Sequence, residues 1–240
     1  MQFSKNLHAF RFQQMPKIGG VFAEIAERFK PFSQAIHNLV GDEKTAKRIK
    51  EIGLVPHPVL WPYFDDELLE EYSDAASFVA QNWCDLKTKL EISPEDTFQD
   101  KRLLTLYNQM MNAHDRGEYE IVFAALPTLF ERSVRLAQNM TVRKSVSRWI
   151  KEDVGELPFN IIGYKGFRIW RVVTDNTFAS IYTEADADAL HYPNRHISAH
   201  GVGSQPTDIV KSLNTILLSH YVINLAYAAF QYQLEIEEAA

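Results

Sequence analysis

The sequence predicts an all-α protein, a helical bundle, and three observations carry this prediction. From Phe64 to about Leu90, apolar side chains recur at steps of three and four, which places them on one face of a helix. The same spacing returns in a segment that begins near Tyr119. A third apolar segment, from Thr207 to about Glu235, is the longest of the three. Helices with such apolar faces must bury them against one another.

Residues 1–62 are predicted to form an N-terminal extension of short helices and irregular chain. Prolines and glycines interrupt this part of the sequence repeatedly. Its last stretch, Gly53–Pro62, is predicted to be an extended apolar loop in which His57 has a packing role. The short helices predicted between the interruptions are Val21–Lys30, Phe32–Val40 and Glu43–Ile52.

Residues 63–240 are predicted to form the bundle itself. After the helix from Phe64, a second helix is expected from Ser93 to about His114, with Pro94 at its first position. A turn follows at Asp115–Gly117. The third helix contains Pro127, so the sequence predicts that it either bends or restarts there before ending near Met140.

The segment after the third helix is harder to assign. Val142–Asp153 is expected to be helical. Glycines and prolines then break the chain, and Phe167–Val173 fits either a short strand or one face of a helix. A helix from Lys165 to Tyr182 is the preferred interpretation.

The stretch from Pro193 to Gly201 concentrates the polar chemistry of the chain. Pro193 suits the first turn of a helix and Gly201 suits the position after its end, so a short helix is predicted between them. At about 100° per residue, His196 and His200 lie about 40° apart on that helix. Histidine exchanges a proton near neutral pH, and Arg195 offers a planar charged fork that fits phosphate. Together these groups suit attack on a phosphodiester.

The string Asn-Arg-His-Ile-Ser-Ala-His-Gly resembles the motif of the HEPN superfamily, in which an arginine and a polar residue precede a histidine. In that motif Arg195 is followed by the polar His196, and His200 is the final histidine. The order of helices over residues 64–238 is also similar. The part around residues 142–192 is then an insertion, and Glu131 lies on the helix that begins near the Gly-Glu-Tyr sequence.

The resemblance implies a metal-independent endoribonuclease of a toxin or phage-defence system. His200 would move the proton, Arg195 would hold the phosphate, and His196 or Asn194 would orient the groups. It further implies a homodimer with one shared cleft, an RNA substrate, no cofactor and no metal, and an antitoxin or other regulatory protein as a possible partner. The two-sided apolar character of the final helix, which Thr207 is predicted to cap, is in keeping with a dimer.

Two other interpretations of the motif stay open. In the first, Arg195 pairs with a carboxylate such as Glu131 in a structural network, and the protein is a non-catalytic module that binds nucleotide, RNA or a protein partner. In the second, histidines and aspartates near the motif bind zinc, although the glutamate of a His-Glu-x-x-His site is missing. The residues of that metal site would be His191, His196, His200, Asp186 and Asp188.

Basic residues are concentrated at the end of the third predicted helix and the start of the insertion, with no acidic residue between Arg132 and Lys151. They line an RNA groove on one interpretation and form a solvated helix face on the other. The residues assigned to RNA binding are Arg143, Lys144, Arg148 and Lys151.

Composition limits the remaining classes of function. The net charge of −6 argues against a general nucleic-acid coat protein, although not against a local basic groove. The single Cys84 excludes an internal disulfide and fits the reducing cytoplasm. No apolar run approaches the roughly 20 residues of a membrane span, so no membrane association is expected.

Overall fold

The computed structural model describes residues 43–64, 72, 74–138, 144–152, 173–177, 183–188, 192–200 and 206–239. These residues form an all-α structure, and none of them belongs to a strand. The chain divides into two compact units, Met1–Lys44 and Thr45–Ala240. The second unit contains the candidate site.

Eight helices carry the architecture of the described residues. Their bounds, in chain order, are α1 (residues 43–51), α2 (Ala75–Lys89), α3 (Lys101–Asp115), α4 (Tyr119–Ala137), α5 (Val146–Glu152), α6 (Glu184–Asp188), α7 (Arg195–His200) and α8 (Ile209–Ala239). Short 3₁₀ helices cover Pro58–Tyr63 and Glu95–Thr97, and a π-helical turn covers Val173–Thr177.

The two central helices, α4 and α8, run in the same direction. At one end, the N–H of Thr207, just before α8, donates to Glu120 Oε1 on α4 at 2.6 Å. The opposite end of α4 pairs its Arg132 with Asp100, next to Phe98, whose ring packs on Tyr227 of α8. Helix α3 begins at this second end and is therefore antiparallel to both. The long connection between α4 and α8 carries α7 back along the surface of α4.

Helix α8 lies at the centre of the core. Every residue from Ser212 to Ser219 is buried, which covers more than two full turns and therefore all sides of the helix. The predicted two-sided apolar character of this helix is thereby confirmed, but the protein itself covers these faces, so they are not a reason to expect a dimer. Residues 209–238 include an 18-residue stretch that is long and apolar enough to span a membrane by composition, yet 72% of that stretch is buried inside the protein, as in a core helix.

The predicted start of the first bundle helix is wrong. The structure begins α2 at Ala75, where the extended Asp74 caps it by accepting a hydrogen bond from the N–H of Ser77 at 2.8 Å. Phe64 instead closes the 3₁₀ helix Pro58–Tyr63. Apolar periodicity does not detect such a cap, because Phe64 and Tyr72 still pack in the aromatic cluster with Phe78.

The helix predicted to start at Pro94 also begins later. A single 3₁₀ turn, Glu95–Thr97, comes first, and Phe98 and Gln99 then adopt the left-handed conformation with φ of 57° and 56°. Helix α3 starts after Asp100, whose carboxylate accepts from the N–H of Leu103 at 2.7 Å. Two consecutive left-handed residues that are not glycine cannot be anticipated from propensity.

The remaining helices agree with the sequence more closely. Helix α4 continues through Pro127 without restarting, and α5 begins at Val146 rather than Val142. The cap of α8 is Asp208, which accepts from the N–H of Lys211 at 2.7 Å, and not Thr207. The turn at Asp115–Gly117 is confirmed, with Gly117 at a φ of 72°.

The segment after α1 is predicted by the sequence to be an extended loop as far as Pro62, but from Pro58 it forms the 3₁₀ helix Pro58–Tyr63. This segment, which the sequence grouped with the N-terminal extension, contributes Leu54, Val55 and Leu60 to the core. Asn214 of α8 holds it in place, because its amide accepts from the N–H of Val55 and donates to the carbonyl of Gly53, both at 2.8 Å. Helix α1 agrees with the prediction for Glu43–Ile52. The helices predicted between residues 21 and 40, and most of the one predicted at 165–182, lie outside the described residues.

Candidate functional site

Helix α7 carries the predicted motif, and Asn194 fixes where it starts. The side chain of Asn194 is fully buried; its Oδ1 accepts from the N–H of Ile197 at 3.1 Å and its Nδ2 donates to the carbonyl of Asn176 at 2.6 Å. Asn194 is therefore the N-cap. The prediction that Pro193 lies in the first turn of the helix is wrong, because Pro193 precedes the cap. The amide that was expected to orient a substrate is committed to the protein backbone.

Helix α7 packs against α4 and runs antiparallel to it. The side chain of Ile197 on α7 is buried, and the hydroxyl of Ser198 donates to the carbonyl of Phe123 on α4 at 2.7 Å. One turn earlier, Arg195 reaches Glu131 on α4. The side chains at the start and middle of α7 thus hold it at a fixed place on the bundle.

Arg195 and Glu131 form an ion pair at the surface, the pairing named in one interpretation of the sequence. Nη2 of Arg195 lies 3.0 Å from Glu131 Oε1, and the two side chains are 36% and 37% exposed. The other carboxylate oxygen, Oε2, lies 3.5 Å from Nε of Arg135. Two guanidinium groups therefore share one carboxylate, and this cluster of three side chains has a net positive charge.

The ion pair leaves the guanidinium of Arg195 incompletely satisfied. Its Nε is buried and has no hydrogen-bond partner among the described residues. A buried N–H without a partner costs about 1–3 kcal/mol, whereas a carboxylate or phosphate that engages both Nε and Nη2 satisfies the whole edge of the fork. The observed contact is therefore not the best one that the guanidinium can make with an anion.

His200 is the last residue of α7, and its side chain is exposed. It follows Arg195 by five residues, which corresponds to about 7.5 Å along the helix axis and about 140° around it. The side chain of His196 lies outside the described part of the protein. Of the groups assigned to catalysis, the described ones are thus an anchored Arg195, an exposed His200 and a buried Asn194.

The basic residues assigned to RNA binding are only partly described. Arg148 is exposed and Lys144 is half-buried, whereas Arg143 and the side chain of Lys151 lie outside the described residues. Arg132, at the start of the same basic run, makes an ion pair with Asp100.

The zinc interpretation gains no support from the described residues. They contain no group of three histidine, cysteine, aspartate or glutamate side chains that could hold a metal ion. Asp186 accepts from the hydroxyl of Thr183 at 2.6 Å, and that hydroxyl accepts from the N–H of Asp186 at 3.1 Å. His191 and the side chains of His196 and Asp188 lie outside the described residues.

A second pair of histidines joins the segment after α1 to α8. His57 is buried, in agreement with its predicted packing role, whereas its pairing with His220 is not predicted by the sequence. Nε2 of His57 lies 3.1 Å from Nδ1 of His220. The pKa of His57 is held well below its usual value, mainly by burial and to a smaller extent by the nearby His220. The N–H of Val59 donates to Nδ1 of His57 at 3.2 Å, so His57 carries its proton on Nε2 and donates it to His220. The two histidines are 163 positions apart, and no local pattern connects them.

An open groove of about 410 Å³ lies elsewhere, between the end of α2 and the face of α3. None of the residues lining it belongs to α4 or α7. The groove is therefore separate from the motif.

Comparison with known proteins gives no assignment. No protein-family model matches the chain, and no curated protein or solved structure matches it. The function must therefore be argued from the residues of the site themselves.

Proposed function

We propose that the protein is a metal-independent endoribonuclease built on a HEPN-like bundle, with Arg195 and His200 as its reacting pair. The observation that carries the proposal is the placement of both groups on α7, with Arg195 anchored on α4 and partly exposed and His200 exposed at the helix end. A fixed cation and a solvent-accessible imidazole are the two kinds of group that phosphodiester cleavage uses, and α7 carries both.

In the proposed reaction, the nucleophile comes from the RNA. His200 removes the proton of the ribose 2′-hydroxyl, and O2′ attacks the adjacent phosphorus as the bond to the 5′-oxygen breaks. The leaving oxygen takes up a proton, and the products are a 2′,3′-cyclic phosphate and a 5′-hydroxyl. Arg195 balances the negative charge that builds up on the phosphate oxygens, so the mechanism assigns no step to a metal ion.

The geometry of α7 is a reason to propose that two subunits act together. Among the described side chains, each α7 offers one arginine and one exposed histidine, about 7.5 Å apart along the helix axis, whereas the reaction uses both a base and an acid. A second copy of α7 facing the first supplies the other histidine. A homodimer with one shared cleft is therefore part of the proposal.

Variants of the two residues test the proposal. We expect His200→Ala to lower the rate of RNA cleavage by about 10²–10⁴, the usual contribution of a general acid or base. Arg195→Ala should also abolish cleavage. Arg116→Ala is the matched control, because Arg116 makes a similar surface ion pair with Glu118 on another part of the protein. Full activity of His200→Ala with intact folding would rule out the proposed role.

The cellular setting follows from the same proposal. An unrestrained ribonuclease of toxin or phage-defence type arrests growth when it is expressed alone, and His200→Ala should relieve the arrest. Addition of a strong chelator to the purified protein should leave RNA cleavage unchanged. Loss of cleavage that is restored by one metal ion would contradict a metal-independent mechanism.

A second candidate function is a non-catalytic module that binds nucleotide, RNA or a protein. The observation that favours it is the engagement of Asn194 and Arg195 in structural contacts with Asn176 and Glu131. In that case Arg195→Ala lowers the free energy of unfolding, and the purified wild-type protein cleaves no RNA. Measuring cleavage and stability on the same preparations separates the two candidates.

A further inference from the structure

We propose that Glu131 is a built-in competitor for the RNA phosphate at Arg195, so that the ion pair seen in the structure is an autoinhibitory contact. The inference rests on the proposed function, because it concerns the same Arg195. It assigns Glu131 a regulatory effect that the structural pairing alone does not imply. Its ligand class is the phosphodiester backbone of a single-stranded nucleic acid.

The carboxylate of Glu131 occupies a position suited to a phosphate. Glu131 Oε1 lies 3.0 Å from Nη2 of Arg195, and Oε2 lies 3.5 Å from Nε of Arg135. A single anion thus already bridges two guanidinium groups. A phosphate presents oxygens with the same charge and hydrogen-bonding character, and arginine binds both kinds of anion with the same fork.

The carboxylate of Glu131 satisfies only part of the hydrogen-bonding capacity of Arg195. Nε of Arg195 is buried and finds no partner in the described part of the chain, although Nη2 is bound. If Glu131 releases Nη2, the guanidinium is free to turn toward solvent and to offer both N–H groups to a phosphate. Exchange of carboxylate for phosphate then adds a hydrogen bond that the resting contact lacks.

The ion pair between Arg195 and Glu131 is weak enough for a phosphate to displace the carboxylate. Arg195 and Glu131 are each more than one-third exposed, and ion pairs with such exposure contribute little to stability. A phosphate delivered with the rest of an RNA strand forms its bonds together with those of the neighbouring nucleotides. The carboxylate is therefore strong enough to compete and weak enough to be displaced.

The experiment measures the affinity of a fluorescently labelled 20-nucleotide oligouridine for Glu131→Gln and wild-type protein at several salt concentrations. Glutamine keeps the size and the helix propensity of the residue and removes the charge. At low salt, Glu131→Gln should bind the oligonucleotide about two- to fivefold more tightly, the range expected for an exposed ion pair. The slope of log affinity against log salt should steepen by about 0.7 for each additional phosphate that the variant neutralises.

Glu118→Gln is the matched control. It removes the same charge from another surface arginine–glutamate pair, in which Arg116 donates to Glu118 at 2.6 Å and 2.9 Å. An equal increase in affinity in this control would mean that net charge alone tightens binding, and the inference would fall. The increase must also vanish when Glu131→Gln is combined with Arg195→Ala.

The remaining outcomes separate this inference from the proposed function. Weaker or unchanged binding by Glu131→Gln overturns the inference, because Glu131 then only positions Arg195, even if the wild type cleaves RNA. Tighter binding of RNA and of the matching DNA by Glu131→Gln, without cleavage by any variant, supports the phosphate site and removes the ribonuclease. No binding of either polymer by either protein overturns the inference.

Discussion

At the scale of single residues, the buried histidines are the groups that acid should perturb first. His57 donates from Nε2 to His220 and accepts at Nδ1 from the N–H of Val59, so an added proton on Nδ1 of His57 places two donors face to face. His114 is also buried, where Nδ1 contacts the hydroxyl of Ser212 at 2.7 Å, and burial lowers its pKa to about 4. Burial therefore favours the neutral form of both imidazoles in the folded protein.

We therefore predict that the free energy of unfolding falls as pH is lowered below about 6.5, the unfolded pKa of histidine. The sign follows from the lowered folded pKa: the unfolded chain binds more protons, so stability is full above pH 6.5 and is lost toward the folded pKa. His114 alone should account for a loss of about 3 kcal/mol between pH 7 and pH 4. Urea unfolding at pH 7, 6 and 5 measures the effect, and a flat profile over this range would contradict the burial of neutral histidines.

A second prediction at this scale concerns Gln99. Its φ of 56° is a left-handed conformation, which costs a residue other than glycine roughly 1–2 kcal/mol. Gln99→Gly should therefore raise the free energy of unfolding by about 1 kcal/mol. Gln109→Gly, in the exposed middle of α3, should lower it by about 1 kcal/mol. Destabilisation by both substitutions would mean that Gln99 is not strained.

At the scale of elements, the first turn of α3 depends on Asp100. Its carboxylate caps the helix through the N–H of Leu103 and also pairs with Arg132 of α4, and these contacts lower the pKa of Asp100. Asp74 caps α2 through the N–H of Ser77 and is exposed. The two residues provide a pair of aspartate caps that differ in burial and in the ion pair that Asp100 makes with another helix.

We expect Asp74→Ala to cost about 1 kcal/mol, the usual value of an N-cap. Asp100→Ala should cost more, because it also leaves Arg132 without its carboxylate. Asp100→Asn, which keeps a capping oxygen and removes the charge, should fall between wild type and Asp100→Ala. Equal costs for Asp74→Ala and Asp100→Ala in urea unfolding would show that the pair with Arg132 adds nothing.

The same elements show what the sequence could predict. The apolar periodicity locates α2, α3, α4 and α8, because a repeating step of three or four residues is a local property of the chain. It misses their starts where a cap or a left-handed turn decides the boundary, as at Asp74 and Gln99. The resemblance identifies Glu131 as the partner of Arg195, whereas the pairing of His57 with His220 depends on long-range packing that no local pattern records.

At the scale of the whole molecule, the proposed mechanism requires two subunits. We predict sedimentation at about twice the chain mass of 27.6 kDa at micromolar concentration. An isologous contact would bring two copies of α7 together, so that an excess of His200→Ala subunits should lower cleavage by wild-type subunits through mixed dimers. A monomer at all concentrations that retains RNA cleavage would remove the shared cleft from the account.

The chemical structure of the cleaved ends distinguishes a ribose 2′-hydroxyl from water as the nucleophile. Wild-type protein should be incubated with a labelled single-stranded RNA and with a DNA of matching sequence, and the products should be mapped by mass spectrometry. Because the ribose 2′-hydroxyl is the proposed nucleophile, we predict a 2′,3′-cyclic phosphate and a 5′-hydroxyl from RNA and no cleavage of DNA. A 3′-hydroxyl product, or equal cleavage of DNA, would identify water as the nucleophile and contradict the assignment of His200.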